Sequence, residues 1–227
     1  MPRRPARDIV SHLPPAPEIR LRDRIWFTAY YAIAFVLLGL LVFNRKPELL
    51  DVAGRSFAGV GTKAALLVTD TGLFPVYATV SGVLLIAAIV ERRWLRPVLI
   101  SIVTLLAAWQ VSDACKLLFH RPRPTYWVGI HEPSWSYPSG HTTLVIAFYG
   151  FWTAVAWMSD LPIAAKRWIR VAFAIWAIAI GWSRLALGAH YVTDLVGGYL
   201  LGAAMASGGL IVYRMLGSPT ESDTAAA

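Results

Sequence analysis

Apolar positions along this chain fall in blocks separated by short polar stretches. Six such blocks cover residues 25–43, 72–90, 97–115, 142–158, 168–186 and 191–213. Each comes close to the roughly 20 mostly apolar residues that an α-helix needs to cross a bilayer. Arg24 and Arg45 flank the first block, and the second ends at Glu91-Arg92-Arg93. The fourth stops before Ser159-Asp160-Leu161-Pro162, and a very short turn around Gly188 makes the fifth and sixth a helical hairpin. The pattern predicts an all-α, polytopic membrane bundle of six helices over residues 25–214. Residues 1–24 and 215–227 are then tails on one side of the membrane.

Lys and Arg choose that side. With the N-terminus inside, the inner segments carry thirteen basic residues and the outer ones eight. Three of those eight belong to the chemistry below. The expectation is therefore a multi-pass inner-membrane protein with cytoplasmic termini and an active site facing the outside or periplasm. The N-terminal stretch holds Arg and Pro but no apolar core before Ile25, so it reads as a basic cytoplasmic tail and not a signal peptide.

Composition sharpens the picture. The 227 residues are 57% hydrophobic and 15% charged, with a mean hydropathy of +0.55, outside the usual range of soluble domains. A net charge of +8 would suggest nucleic acid in a soluble protein, but here the charge lies between apolar blocks and points to anionic lipid. Ten Trp suit interfacial belts. The single Cys115 excludes an intrachain disulfide and reads as a small buried hydrophobe.

Two outer loops are long. Residues 44–71 mix apolar and polar positions and could lie on the membrane surface as an amphipathic helix. Residues 116–141 are rich in Pro, Trp and Tyr, and a loop of that length in a compact bundle is usually functional.

Three polar clusters fall at the outer ends of the spans: Lys116 to Pro124, Tyr137 to Thr142, and Ser183 to Asp194. The six-span topology puts Lys116, Arg123 and Arg184 on one side of the membrane. A transferring phosphoryl group spreads charge over three oxygens, and its catalysis is mainly positioning and charge stabilisation. Two guanidinium forks and an ammonium suit that task. Ser139-Gly140 leads into a helix whose first amides make an anion site. His190 and Asp194 are four residues apart, on one face of a helix that begins near His190. Asp194 can then hold one imidazole nitrogen and leave the other free to attack phosphorus, with His141 as proton donor to the leaving group. A carboxylate inside a span also needs a partner, and His190 is the nearest candidate.

Together these clusters resemble the three-part signature of the type-2 phosphatidic acid phosphatase superfamily. The matching residues are Lys116, Arg123 and Pro124; then Pro138-Ser139-Gly140-His141; then Ser183-Arg184, His190 and Asp194. All agree in type, order and spacing. The resemblance implies a metal-independent reaction through a phosphohistidine with no cofactor. His190 would be the nucleophile, Asp194 its orienter and His141 the general acid. Lys116, Arg123, Ser139, Gly140 and Arg184 would hold the phosphate, and vanadate would inhibit.

Other polar residues take plainer readings. Arg121 reads as a snorkelling anchor. His120 and His131 read as loop histidines, and Gln110 and Asp113 as hydrogen bonders within the bundle. Gly198 and Gly202 form a close-packing pair. Trp127, Trp135 and Tyr137 read as interfacial aromatics. The histidines lack the close spacing of a zinc site, so no metal is expected.

The leading expectation is a hydrolase that removes phosphate from a membrane lipid. Undecaprenyl diphosphate is the first choice, and phosphatidylglycerophosphate, phosphatidate and lipid A phosphate are rivals. Remote alternatives are a vanadium haloperoxidase and a non-catalytic lipid-binding protein. The partner is a phospholipid or polyprenyl phosphate in the membrane, not nucleic acid.

Overall fold

The computed structural model describes residues 21–43, 47, 49–126 and 132–216, and among them all regular structure is helical. Arg45, Trp127, His131 and the outer parts of both tails lie outside the described residues. Helix α1 runs Leu21–Val42, so the last four residues of the expected tail are helical. Two short helices follow, α2 (Leu49–Gly54) and α3 (Thr62–Asp70), and then α4 (Phe74–Val90), with Pro75 in its first turn, where a missing N–H goes unnoticed. Helix α5 is Leu95–Phe119. Helix α6 (Gly140–Val145) passes through a π turn at Ile146–Gly150 into α7 (Phe151–Met158). Helices α8 (Ile163–Ala186) and α9 (Val192–Met215) complete the bundle.

Four helical stretches are long and apolar enough to cross a membrane: Leu21–Val42, Arg92–Phe119, Ile163–Ala186 and Val192–Met215. The pair α3 and α4, bent by 41°, makes a fifth when taken as one span. The bundle is built around α9, which packs on α1, α5, α6 and the π turn. Small residues let it sit centrally. A Cβ on Gly198 would strike Thr142 and the Ser139 carbonyl, and one on Gly202 would strike Ile146 of the π turn. The pair read as a close-packing motif therefore seats α9 against α6.

Where helices end, the chain is steered. Helix α5 stops at His120, which adopts a left-handed conformation (φ 45°), and two prolines within the next four residues prevent renewal of the helix. Gly188 (φ 64°) makes the tight turn between α8 and α9. Both breaks lie at the same end of the bundle, beside the start of α6. Tyr137 there is not an interfacial aromatic. It is fully buried, donates its hydroxyl to the Phe35 carbonyl at 2.9 Å and stacks on the Phe35 ring. Apolar walls from α1 and α5 close round it, Cys115 among them, and desolvation forces the hydroxyl to find a backbone partner. Trp135 keeps the partly exposed position expected of it, edge-on to His120.

The 44–71 region does more than lie on a membrane surface. Asp51 of α2 is fully buried and accepts bonds from the Thr193 N–H and hydroxyl at the start of α9. Thr69 of α3 accepts a bond from Arg184 at 2.7 Å. These two helices cover the end of the bundle where the three motifs meet.

Candidate active site

The eight expected residues gather at that one end. Lys116 comes from the last turn of α5, Ser139, Gly140 and His141 from the start of α6, Arg184 from the last turn of α8, and His190 and Asp194 from the entry to α9. Arg123 reaches in from the extended segment after α5.

Arg123 and His190 define the centre. The Arg123 Nη1 lies 3.0 Å from His190 Nε2 and also donates to the Ala189 carbonyl at 3.0 Å. A guanidinium only donates, so Nε2 carries its lone pair toward Arg123 and the ring proton resides on Nδ1. His190 is 1% exposed. Burial holds its pKa well below 6.5, and the charges of Arg123 and Arg184 lower it further. The ring is neutral at pH 7, with its free lone pair aimed at a cationic fork.

Asp194 departs in part from expectation. Its Oδ2 sits 3.5 Å from His190 Nδ1, at the limit of a hydrogen bond. The closer partners are Arg121 Nη1 and Ser136 Oγ, each at 2.5 Å, and the Tyr191 N–H at 2.8 Å. His190 is therefore not the group that balances this buried carboxylate. Arg121 is. It is 2% exposed, bridges Asp194 to Asp51 (2.7 Å) and stacks on the Tyr191 ring. Burial works against its charge, but Asp194 and Asp51 outweigh burial and hold its pKa up. The snorkelling reading of Arg121 is thus wrong. Snorkelling assumes water within reach of the head group, and α2 seals this one in.

Arg184 and Arg123 share a further partner that the motifs do not name. Glu132 accepts from Arg123 Nη2 at 2.7 Å through one carboxylate oxygen and from Arg184 Nη2 through the other. Desolvation raises the Glu132 pKa, but the Arg184 and Arg123 guanidiniums overcome it and bring the value to about 2. Glu132 thereby places an anion between the two forks assigned to phosphate. A signal existed: it is the sole carboxylate between Lys116 and His141.

Several polar atoms around this point are buried without a partner among the described residues: Ser139 Oγ, His141 Nε2, Ser112 Oγ and Arg184 Nε. Lys116 Nζ, paired with Asp113 at 2.8 Å, stands so near Gly140 that a Cβ there would lie 3.4 Å from it. Asp113 is thus a bundle hydrogen bonder whose partner is a site residue. Unpaired buried donors beside three cations make a cradle suited to a tetrahedral oxyanion.

This arrangement has relatives. Residues 94–218, more than half of the chain, match the PAP2 superfamily, and the chain belongs to it. Phosphatidylglycerophosphatase B of Bacillus subtilis (strain 168) is 33% identical over 94 residues, covering 40% of this chain and 46% of that protein. An undecaprenyl-diphosphatase of Sulfolobus acidocaldarius is 31% identical over 85 residues, 37% of each chain. A lipid A 1-phosphatase of Rhizobium etli is 26% identical over 88% of each chain. The matched part thus spans less than half the length of the first two relatives and most of the third. The crystal structure of a transmembrane PAP2 type phosphatidylglycerolphosphate phosphatase from Bacillus subtilis superposes with a TM-score of 0.70 at 20% identity, over 86% of this chain and all of that one. The fold is that of a transmembrane PAP2 protein, and the chain is an integral membrane protein.

Proposed function

We propose that this chain is a lipid phosphatase working through a phosphohistidine on His190. The observation that carries the reading is the His190 Nε2 lone pair facing Arg123, beside two guanidiniums that already hold an anionic carboxylate. Substrate phosphate displaces Glu132 from Arg123 and Arg184 and is gripped by them, by Lys116 and by the amides at Ser139-Gly140. Nε2 attacks phosphorus, and the bond to the lipid oxygen, or to the lipid phosphate of a diphosphate, breaks. His141, protonated by the proton that the phosphate monoanion brings into the site, gives that proton to the leaving oxygen. Water then attacks the phosphohistidine, returns a proton to His141 and releases inorganic phosphate. Asp194, fixed by Arg121 and Ser136, steadies the Nδ1–H side of the ring as its positive charge develops.

Six crossings fit this reading: the four long helices, α4, and the continuous helix over residues 140–158. With the basic residues of the opposite end in the cytoplasm, the site opens at the outer or periplasmic face. Undecaprenyl diphosphate remains the first choice of substrate. Phosphatidylglycerophosphate, phosphatidate and lipid A phosphate are the alternatives, and the names of the relatives support the lipid phosphate class as a whole. The test is phosphate release in detergent and EDTA from that panel, with His190→Ala as control. Release by the wild type and not by the variant supports the proposal. Release by both removes His190 from the reaction.

A further inference from the structure

The end of the bundle away from the site holds a second feature. A cleft of about 600 Å³ runs between α1 and α5 with α9 as its floor. Its walls include Thr28 and Ala32 of α1, Val103 and Ala107 of α5, and Met205 and Gly208 of α9. It is almost wholly apolar. It lies one to two dozen residues along α9 from His190, in the opposite half of the bundle.

One helical turn beyond the lining residues, each wall carries an arginine. Arg24 is one turn before Thr28, and Arg96 one turn before Ile100, which also lines the cleft. Arg24 is only 8% exposed. Its Nη2 meets the Met158 sulfur at 3.7 Å, a weak acceptor that Arg214 Nη2 also approaches at 3.6 Å. Arg96 donates to the Tyr213 carbonyl and lies over the Tyr213 ring. Among the described residues neither arginine has a carboxylate partner, and the Nε of each is buried and unpaired. A guanidinium held out of water without a counter-ion, as Arg24 is, is costly, and the cost falls when an anion takes its free N–H groups and the buried Nε of the half-buried Arg96. An anion above an apolar membrane cleft describes the head and tail of a charged lipid.

We propose that the cleft between α1 and α5 binds an anionic glycerophospholipid from the leaflet opposite the active site, its phosphate on Arg24 and Arg96 and one acyl chain along α9. The site is separate from the phosphatase centre and stands whether or not the proposed reaction does. It also has a structural consequence. Helix α1 reaches the catalytic end through Phe35, which receives the Tyr137 hydroxyl just before Pro138-Ser139-Gly140. A lipid wedged between α1 and α5 therefore steadies the wall on which that loop rests.

The test uses the full chain, delipidated in detergent, with dioleoylphosphatidylserine or dioleoylphosphatidylcholine added and retained lipid counted by native mass spectrometry. Phosphatidylserine carries no phosphomonoester and is a poor candidate for the catalytic site. Wild type should retain one phosphatidylserine with a roughly tenfold preference over phosphatidylcholine, as two arginines near a membrane surface imply. Arg24→Gln with Arg96→Gln should erase that preference. Gly208→Phe should abolish retention of either lipid. A Cβ at Gly208 meets nothing within 4 Å, so the added ring enters the cleft and not the core, and the fold survives. Equal retention of both lipids by wild type would overturn the proposal. So would a phosphatidylserine preference that survives the arginine changes, or a Gly208→Phe chain that keeps its lipid but changes oligomeric state. Glycerol phosphate added alone should give no thermal shift; a shift equal to that of the lipid would reduce the site to an anion site without a tail.

Discussion

Glu132 offers the sharpest test of the proposed chemistry, because it occupies the two guanidinium forks that the proposal gives to phosphate. Its pKa is drawn from 4.5 to about 2, the net of burial and the opposing charges of Arg184 and Arg123. At 1.36 kcal/mol per unit, that is on the order of 3 kcal/mol favouring the ionised carboxylate in place. The side chain is 32% exposed, and solvent screening reduces the figure to about 2 kcal/mol. A phosphate or vanadate ion that takes Arg123 and Arg184 must work against this interaction. Glu132→Gln removes the competing charge and keeps the shape. Vanadate Ki and substrate KM should then fall together, by up to about thirtyfold, with kcat unchanged or lowered by slower release of phosphate. The assay is steady-state phosphate release at pH 7 over a vanadate series, on whichever lipid the wild type accepts. A vanadate Ki that stays put or rises in Glu132→Gln would show that the carboxylate does not contest the oxyanion site and would refute the reasoning.

Further outcomes follow from the same geometry. Arg121→Met leaves Asp194 and Asp51 as buried carboxylates without their shared cation and should destabilise the fold by about 3–5 kcal/mol, seen as a fall in the thermal midpoint in detergent. Asp194→Asn should lower kcat with little change in KM and should also lower the midpoint, because it breaks the pair with Arg121; a loss of rate with full stability would show that the pair is of no structural weight. His190 has a depressed pKa, so the unfolded chain takes up its proton below about pH 6.5 while the folded chain does not. Stability should therefore drop as pH falls from 6.5 toward 5, and His190→Gln should flatten that slope in thermal melts. Glu132 has the carboxylate sign: its stabilisation is full above about pH 4.5 and is lost toward pH 2, so it does not contribute to the slope between pH 5 and 6.5.

How far the site was legible in the sequence depended on whether a residue acts at fixed spacing or through contacts distant in the chain. Lys116, Ser139, Gly140, His141, Arg184, His190 and Asp194 stand at or beside helix ends, with Arg123 a few residues past one, and an end is marked by where an apolar block stops. Their convergence could therefore be read from topology. Arg121 could not. Its role depends on Asp51, 70 residues earlier, in a stretch whose mixed polarity suggested a surface helix. Tyr137 is hidden for a similar reason: a Tyr next to Trp and Pro at a span end has the composition of an interfacial belt, and it is the approach of Phe35 from α1, Phe119 from α5 and Leu201 from α9 that buries it.

The same contrast explains why Asp194 was given too few partners. A carboxylate inside an apolar block demands compensation, and the sequence supplies a histidine one turn away. In the fold, that histidine is neutral and buried, and it cannot offset a charge. The compensation comes from Arg121, carried in by the left-handed turn at His120 and held by α2 from outside the family signature. The division of labour has a chemical use. Arg121, not His190, is the cation beside Asp194, and the carboxylate stands next to a neutral imidazole. In the proposed reaction it stabilises the imidazole only when attack on phosphorus makes that ring positive, so its effect falls on the transition state and not on the resting state. Moving the cation to His190 itself would reverse this: a protonated ring satisfies Asp194 and has no lone pair to offer. By this argument the pair Arg121–Asp51 belongs to the catalytic design as much as to stability. The charge-keeping Arg121→Lys variant separates the two, since it should retain most of the fold while losing rate as the bidentate grip on Asp194 and Asp51 is lost.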